Sequence, residues 1–270
     1  MRVFEITPRK NIPLQTSAQT LDEWTRGLPQ GFYTTFITLA RAEKVFGLSA
    51  HLARLFTPAA EMNLRLPVSA AELRARLSAL AKLFAPQEAR VRLLLTKGTG
   101  RLYAALAPFS PPNESTYQNG VAVLSVESAR HDPRIKDSGF IAESAAQRKL
   151  LSDSVYEILL SQRGKILEGM TSNFYVIVKD TLITARQGIL LGVTRRVALR
   201  VARGEGLSIE YRAPSLTEGF SEAFLTSSSR GIVPIVSIDG MPVGEGKVGE
   251  WTKRLIKAYG DYVARQAEGW

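Results

Sequence analysis

Two rhythms of apolar and polar residues run along the chain. "GFYTTFITL" (31–39) and "EKVFGL" (43–48) predict a strand pair around a turn at Arg41 to Lys44. In "SAHLARLFTPAAEMNL", Leu52, Leu55, Phe56 and Ala59 share one helical face, and Ser49 stands where a helix cap is wanted. Pro67 closes that unit; "SAAELRARLSALAKLF" predicts a second amphipathic helix stopped at Pro86, and "ARVRLLLTKG" with "GRLYAALAPF" another strand pair.

The turn formers of "SPPNESTYQNG" then interrupt the pattern, predicting an α+β domain over 1–112, a linker over 113–123 and a mixed α+β domain over 124–270. In the second domain "VAVLSVES", "SIEYRAP", "EAFLTSSS" and "IVPIVSIDG" read as strands. "SGFIAESAAQRKLLSDS", "TRRVALRVARGEG" and "VGEWTKRLIKAYGDYVARQ" read as helices. Between them, "KILEGMTSNFYVIVKDTLITA" (165–185) reads as a meander whose first strand is interrupted by the polar run Glu168 to Asn173.

Composition narrows the chemistry. With 45% hydrophobic and 22% charged residues, the 270-residue chain is that of an ordinary globular protein. It has no cysteine, which excludes disulfides, thiolate metal sites and a thiol nucleophile, and only His51 and His131, which leaves little for a histidine metal site; no metal is expected. No apolar run has the length of a membrane span, and "MRVFEITPRKNIPLQ" lacks the apolar core of a signal peptide, so a cytoplasmic protein without a membrane partner is expected. The net charge of +10 is compatible with small anionic ligands. Its arginines are scattered through amphipathic helices, and nucleic acid is not an expected partner.

Four segments carry candidate chemistry. Lys136 in "RIKDSGFIAES" stands just ahead of an apolar helix, and a partly neutral lysine attacks carbonyls. "ILLGVTRR" puts Gly192 before Thr194 at a helix start, where free N–H groups favour phosphate; helix capping explains Thr194 equally well. "FLTSSSRG" ends a strand in consecutive hydroxyls, read either as phosphate donors or as a solvated loop. "HLARL" projects Arg54, a phosphate ligand or a surface charge.

Taken in this order, the segments resemble the class IV, fold type IV pyridoxal-phosphate enzymes: branched-chain aminotransferases, D-amino acid aminotransferases and aminodeoxychorismate lyases. The resemblance runs from about Gly31 to the carboxyl end, strongest over "LEGMTSNFYVIVKD", "GILLGVTRR", "EAFLTSSSRGIVPIVSIDG" and "GKVGEWTKRL". It implies a two-domain α+β fold, with a small N-terminal α/β domain and a larger, barrel-like C-terminal one, and pyridoxal 5'-phosphate as cofactor. It further implies that Lys136 forms the Schiff base and carries the Cα proton, and that Glu168 faces the pyridine nitrogen. By the same resemblance Leu190 is expected against the ring, and Gly192, Val193, Thr194, Ser228, Ser229 and Arg54 are expected to hold the phosphate. Tyr33, Thr35, Arg101, Thr171 and Ser172 are the implied substrate neighbours, whereas His51 reads as structural. A homodimer is implied as well.

The implied reaction is transamination between an amino acid, branched-chain or otherwise apolar, and a 2-oxo acid. D-amino acid transamination and pyruvate release from aminodeoxychorismate are the alternatives. Several positions depart from the family pattern. Thr34 and Thr35 stand where aminotransferases usually carry a Glu after the aromatic, and Pro29-Gln30-Gly31 replaces Gly-Asp-Gly. "KDSGF" lacks the Asn and aromatic that often follow the lysine, and neither the Arg-x-His nor the Tyr-x-Arg-Pro pattern of substrate binding is present. A non-catalytic vitamin-binding or regulatory protein on the same fold is the reading of another class; Lys136 and Glu168 together speak against it.

Overall fold

A computed structural model describes all residues, Met1 to Trp270. In chain order the elements are β1 (Arg2–Ile6), β2 (Asn11–Leu14), α1 (Leu21–Arg26), β3 (Gly31–Leu39), β4 (Lys44–Val45), α2 (Leu48–Glu61), α3 (Ala70–Ala81), β5 (Ala89–Thr96) and β6 (Leu102–Pro108). There follow α4 (Glu114–Asn119), β7 (Val121–Glu127), α5 (Gly139–Glu143), α6 (Ala145–Arg148), β8 (Glu157–Gln162), β9 (Lys165–Gly169), β10 (Ser172–Val178) and β11 (Thr181–Ile183). The chain ends with α7 (Val193–Gly204), β12 (Ser208–Glu210), β13 (Glu222–Ser227), β14 (Gly231–Ile238), β15 (Met241–Pro242), α8 (Glu250–Gln266) and β16 (Glu268–Gly269).

These elements form two compact units. The first comprises residues 1–110, 135–143 and 266–270, and the second 111–134 and 144–265. Two expectations about the chain's organisation need correction. The segment 113–123 is no irregular linker: it forms α4 and the start of β7, because Tyr117 packs on the second unit's core and its hydroxyl donates to Arg230 O at 2.8 Å. Residues 135–143, with Lys136, and the last five residues belong to the first unit, to which Ile141 and Trp270 anchor them by burial.

The first unit is a seven-stranded sheet in the order β16-β4-β3-β5-β6-β1-β2. Alternation along β3 explains its two cores: Phe32 and Phe36 join Leu52, Leu55, Leu73 and Leu77 of α2 and α3, while Tyr33 joins Trp24, Leu94 and Ile141. Ser69 caps α3, its hydroxyl accepting from Glu72 N at 3.2 Å. Ser49 does not cap α2; Gly47, at φ 64°, starts that helix and leaves Ser49 within its first turn.

In the second unit β10-β13-β14-β7-β8-β9 run in sequence and β9 pairs back with β10, closing a ring of six strands, the barrel-like body expected of the larger domain. Apolar residues of alternate register, among them Val123, Leu159, Phe174, Val176, Leu225 and Val233, form its core. Glu222 caps α8, accepting from Trp251 N and Thr252 N at 3.0 and 2.7 Å, a carboxylate at the positive end of the helix.

Two further expectations are corrected here. The single helix read over 138–154 is two short ones, parted where the chain passes from the first unit to the second at buried Ser144. The strand read as interrupted at Glu168 is a tight hairpin: β9 pairs with β10 through Gly169↔Ser172 and Glu168↔Asn173, leaving Met170 and Thr171 as the turn. Gly169 is required there, since a Cβ would stand 2.1 Å from Ser172 Oγ.

Candidate functional site

The candidate residues fall into two sets, one in each unit. In the first, the segment bearing Lys136 lies along the beginning of β3. Tyr33 N donates to Lys136 O at 2.9 Å, Ser138 N to Gly31 O at 2.9 Å, and Gly31 N to Ser138 Oγ at 2.9 Å. Close approach of β5 forbids a side chain at Gly31, whose Cβ would fall 2.1 Å from Leu95 O. Asp137 pairs with Lys97 and accepts from Gly139 N at 2.7 Å, which ties down the loop after the lysine.

These bonds hold Lys136 half-buried with its Nζ 4.7 Å from the centre of the Tyr33 ring. The same ring carries the Arg92 guanidinium at 5.1 Å. Arg92, 4% exposed, donates to Asp22 Oδ1 at 2.5 Å and to the hydroxyls of Thr25 and Thr35 at 3.0 Å each. Thr35 is therefore a ligand of a buried arginine. Thr34 points to the other face, its Oγ1 2.7 Å from His51 Nδ1. Burial first, then the positive charges of Arg54 and Lys136, push the His51 pKa down to about 3, so the imidazole is neutral. The structural reading of His51 agrees with this geometry, and Arg54 and Lys136 both lie within electrostatic reach of it. Arg101 is elsewhere: its fork closes on Glu5 at 2.7 and 2.6 Å.

The second set centres on Glu168, which is 2% exposed. Its Oε1 accepts from Arg130 Nε at 2.8 Å and its Oε2 from Leu190 N at 3.1 Å, with Asn173 Nδ2 at 3.4 Å. Arg130 also donates to Met170 O at 2.8 Å, fixing the hairpin turn. Asn173, opposite Glu168 in the register, donates to Leu190 O at 2.7 Å and so fastens the loop that enters α7. A Cβ on Gly192 would come within 2.3 Å of Asn173 Oδ1; only glycine lets the loop lie this close.

Gly192 is the N-cap of α7 and no side chain caps the first turn, so its N–H groups are open to a ligand. Thr194 Oγ1 lies 3.4 Å from Ser228 Oγ, on the turn between β13 and β14 that also holds Ser229. That turn is tied to the hairpin turn. Arg230 Nη2 reaches Glu157 Oε2 at 3.0 Å and Thr171 Oγ1 at 2.6 Å, and Ser172 Oγ donates to Glu157 at 3.1 Å. Thr171 and Ser172 thus turn their hydroxyls to Glu157.

The structure accordingly gathers Lys136, Tyr33 and Arg54 in one unit, and Glu168, Leu190, Gly192, Val193, Thr194 and Ser228 in the other. Arg130, Arg92, Glu157 and Arg230 escaped the sequence reading. A carboxylate inside the apolar run "VYEILL" is a signal for Glu157, but nothing marks Arg130 in the polar turn "ESARHD".

With this geometry established, comparison with known proteins adds an independent finding. The family described as amino-transferase class IV matches residues 31–238. The chain is similar to a D-alanine aminotransferase of Bacillus licheniformis, 30% identical over 231 residues, covering 79% of this chain and 81% of the relative. It is also 30% identical over 255 residues to a probable branched-chain-amino-acid aminotransferase of Thermotoga maritima, covering 91% and 90%. In fold it matches a hypothetical aminotransferase of Mycobacterium tuberculosis solved in its PLP-bound form. That match has a TM-score of 0.79 at 17% identity and covers 98% of this chain and 99% of the other.

Proposed function

The chain belongs to the class IV aminotransferases, and from that premise we propose that it moves an amino group between an amino acid and a 2-oxo acid with pyridoxal 5'-phosphate as cofactor. Glu168 carries this reading. Arg130 Nε and Leu190 N hold this buried carboxylate in one position, and a carboxylate is the group that pairs with a protonated pyridine nitrogen. The uncapped first turn of α7, with the hydroxyls of Thr194 and Ser228 beside it, is a donor set suited to a phosphate.

When bound, the cofactor supplies an electrophilic carbon and an electron sink. Lys136 is the nucleophile toward that carbon and the carrier of the substrate Cα proton. The Tyr33 ring beside its Nζ restricts where the amine can go. Leu190 would supply an apolar surface for the ring, and Val193, Thr194, Ser228 and Ser229 would hold the phosphate. Homodimerisation belongs to the same reading, with sedimentation at micromolar concentration as its check.

Branched-chain and other apolar amino acids are the donors we favour, with 2-oxoglutarate or pyruvate as acceptor. The engagement of Arg101 by Glu5 speaks against that arginine as a stand-in for the carboxylate-binding Arg-x-His pair of the D-amino acid aminotransferases. Similarity to a D-alanine aminotransferase favours D-amino acids as the second reading. The Thr34-Thr35 pair favours the lyase as the third. Incubating holoprotein with L-leucine, D-alanine or aminodeoxychorismate and quantifying the oxo acid released separates the three. Release of 4-methyl-2-oxopentanoate from L-leucine is expected; inertness toward every amino acid would overturn transamination.

A further inference from the structure

The second unit contains a cavity of about 430 Å3 lined by Arg134, Arg186, Arg195 and Arg196, with Tyr211 and Leu191. Of the residues assigned above to the cofactor, only Gly192 touches it, and no carboxylate lines it. Other arginines of this unit do find acids: Arg212 pairs with Glu210 and Glu218, and Arg254 with Glu205. The four cavity arginines form no ion pair. A space of this volume is roughly 9 Å across, comparable with the Debye length of about 8 Å in physiological salt, so charges on opposite walls still repel one another. A polyvalent anion removes that repulsion.

The wall is organised in advance. Arg195 is 3% exposed; its Nη2 donates to Ala185 O at 2.6 Å, while Nε and Nη1 are buried without a hydrogen-bond partner. The Arg186 and Arg195 guanidiniums stand 5.6 and 5.8 Å from the centre of the Tyr211 ring. Arg134, Arg186 and Arg196 are exposed and carry forks that match phosphate oxygens. Tyr211 and Leu191 are 41% and 47% exposed, leaving apolar surface beside the charges. A lone carboxylate engages a single fork. Several forks next to an aromatic and an aliphatic side chain match a longer anion joined to a planar or apolar body.

We propose that this cavity binds a polyphosphate ester of the nucleotide type, its phosphates on the arginines and its body against Tyr211 and Leu191. The test is calorimetric titration of the holoenzyme, in which the cofactor's own phosphate already fills the α7 donors, with ADP and with inorganic pyrophosphate. ADP is expected to bind once per chain, more tightly than pyrophosphate and more weakly as salt rises. Arg186→Gln combined with Arg196→Gln weakens both probes roughly tenfold or more, and Tyr211→Ala weakens ADP alone. Both variants retain the cofactor's absorption and the transamination rate, since these side chains are exposed and outside the catalytic set. Absence of ADP binding at millimolar concentration would overturn the proposal, as would ADP affinity unchanged in the double variant. A failure of the aminotransferase reading shows separately, in the amino acid assay.

Discussion

Arg130 and Glu168 form an ion pair, Nε to Oε1 at 2.8 Å, with side chains only 4% and 2% exposed. Each offsets part of the other's cost of burial, and the bond from Arg130 to Met170 O fixes the position of the hairpin turn.

Replacing Arg130 by Ala leaves that carboxylate buried with its partner gone, and about 3–5 kcal/mol of stability is expected to be lost. Glu168→Gln keeps the shape but not the charge. It is expected to retain cofactor while transamination falls by about two orders of magnitude or more. Urea denaturation and single-turnover kinetics read the two effects separately.

Lys136→Ala removes the proposed nucleophile. The protein is expected to fold, because what anchors the segment is the backbone bonding of Lys136 and Ser138 to β3, but to lose the visible absorption of a lysine-bound cofactor and all turnover. A spectrum equal to the parent's would assign the lysine's role to another residue.

Gly192→Ala places a methyl group where Asn173 Oδ1 stands, 2.3 Å from the ideal Cβ position. Asn173 or the loop must shift, and the first turn of α7 shifts with it. Cofactor affinity is expected to fall roughly tenfold or more, measured by equilibrium dialysis, with a smaller loss of thermal stability.

His51 gives a pH dependence whose sign is opposite to that of a histidine that gains an acidic partner. Its folded pKa, about 3, lies below the unfolded value near 6.5, so between these limits the unfolded chain binds the extra proton. This contribution to stability is complete above pH 6.5 and is lost as pH falls toward 3, by about 2 kcal/mol between pH 7 and pH 5. Chemical denaturation at the two pH values should show a His51→Gln variant with a correspondingly flatter profile. Equal slopes in parent and variant would refute the assignment.

Arg230→Gln breaks the link between the Ser227–Arg230 turn and Glu157, stranding a carboxylate that is 1% exposed. A loss of about 3 kcal/mol is expected. Because the turn also presents Ser228 and Ser229, cofactor affinity is expected to weaken along with stability, whereas a purely local defect would lower the melting temperature alone.

Much of this was legible in the sequence because the physics behind it is local. The amphipathic helices at 48–61 and 70–81, the strands β3, β5, β6, β7, β13 and β14 and the glycine ahead of α7 follow from residue spacing and from the needs of helix ends. Glu168 and Thr194 stand out because each interrupts or ends an apolar run with a hydrogen-bonding group, while Lys136 takes its role from the family resemblance.

What the sequence determined by itself, then, was the longer helices, many of the strands, the family resemblance and the reactive groups. Tertiary structure alone decided which groups are held, and by what. Arg130 and Glu168 are 38 residues apart, Glu157 and Arg230 are 73 apart, and no periodicity links such positions. It also carried Lys136 into the first unit and turned the supposed interrupted strand into a tight hairpin. The reason is burial: a charged side chain in an apolar surrounding is tolerated only with a partner, and the partner is chosen by strand register and chain crossing rather than by its neighbours in sequence.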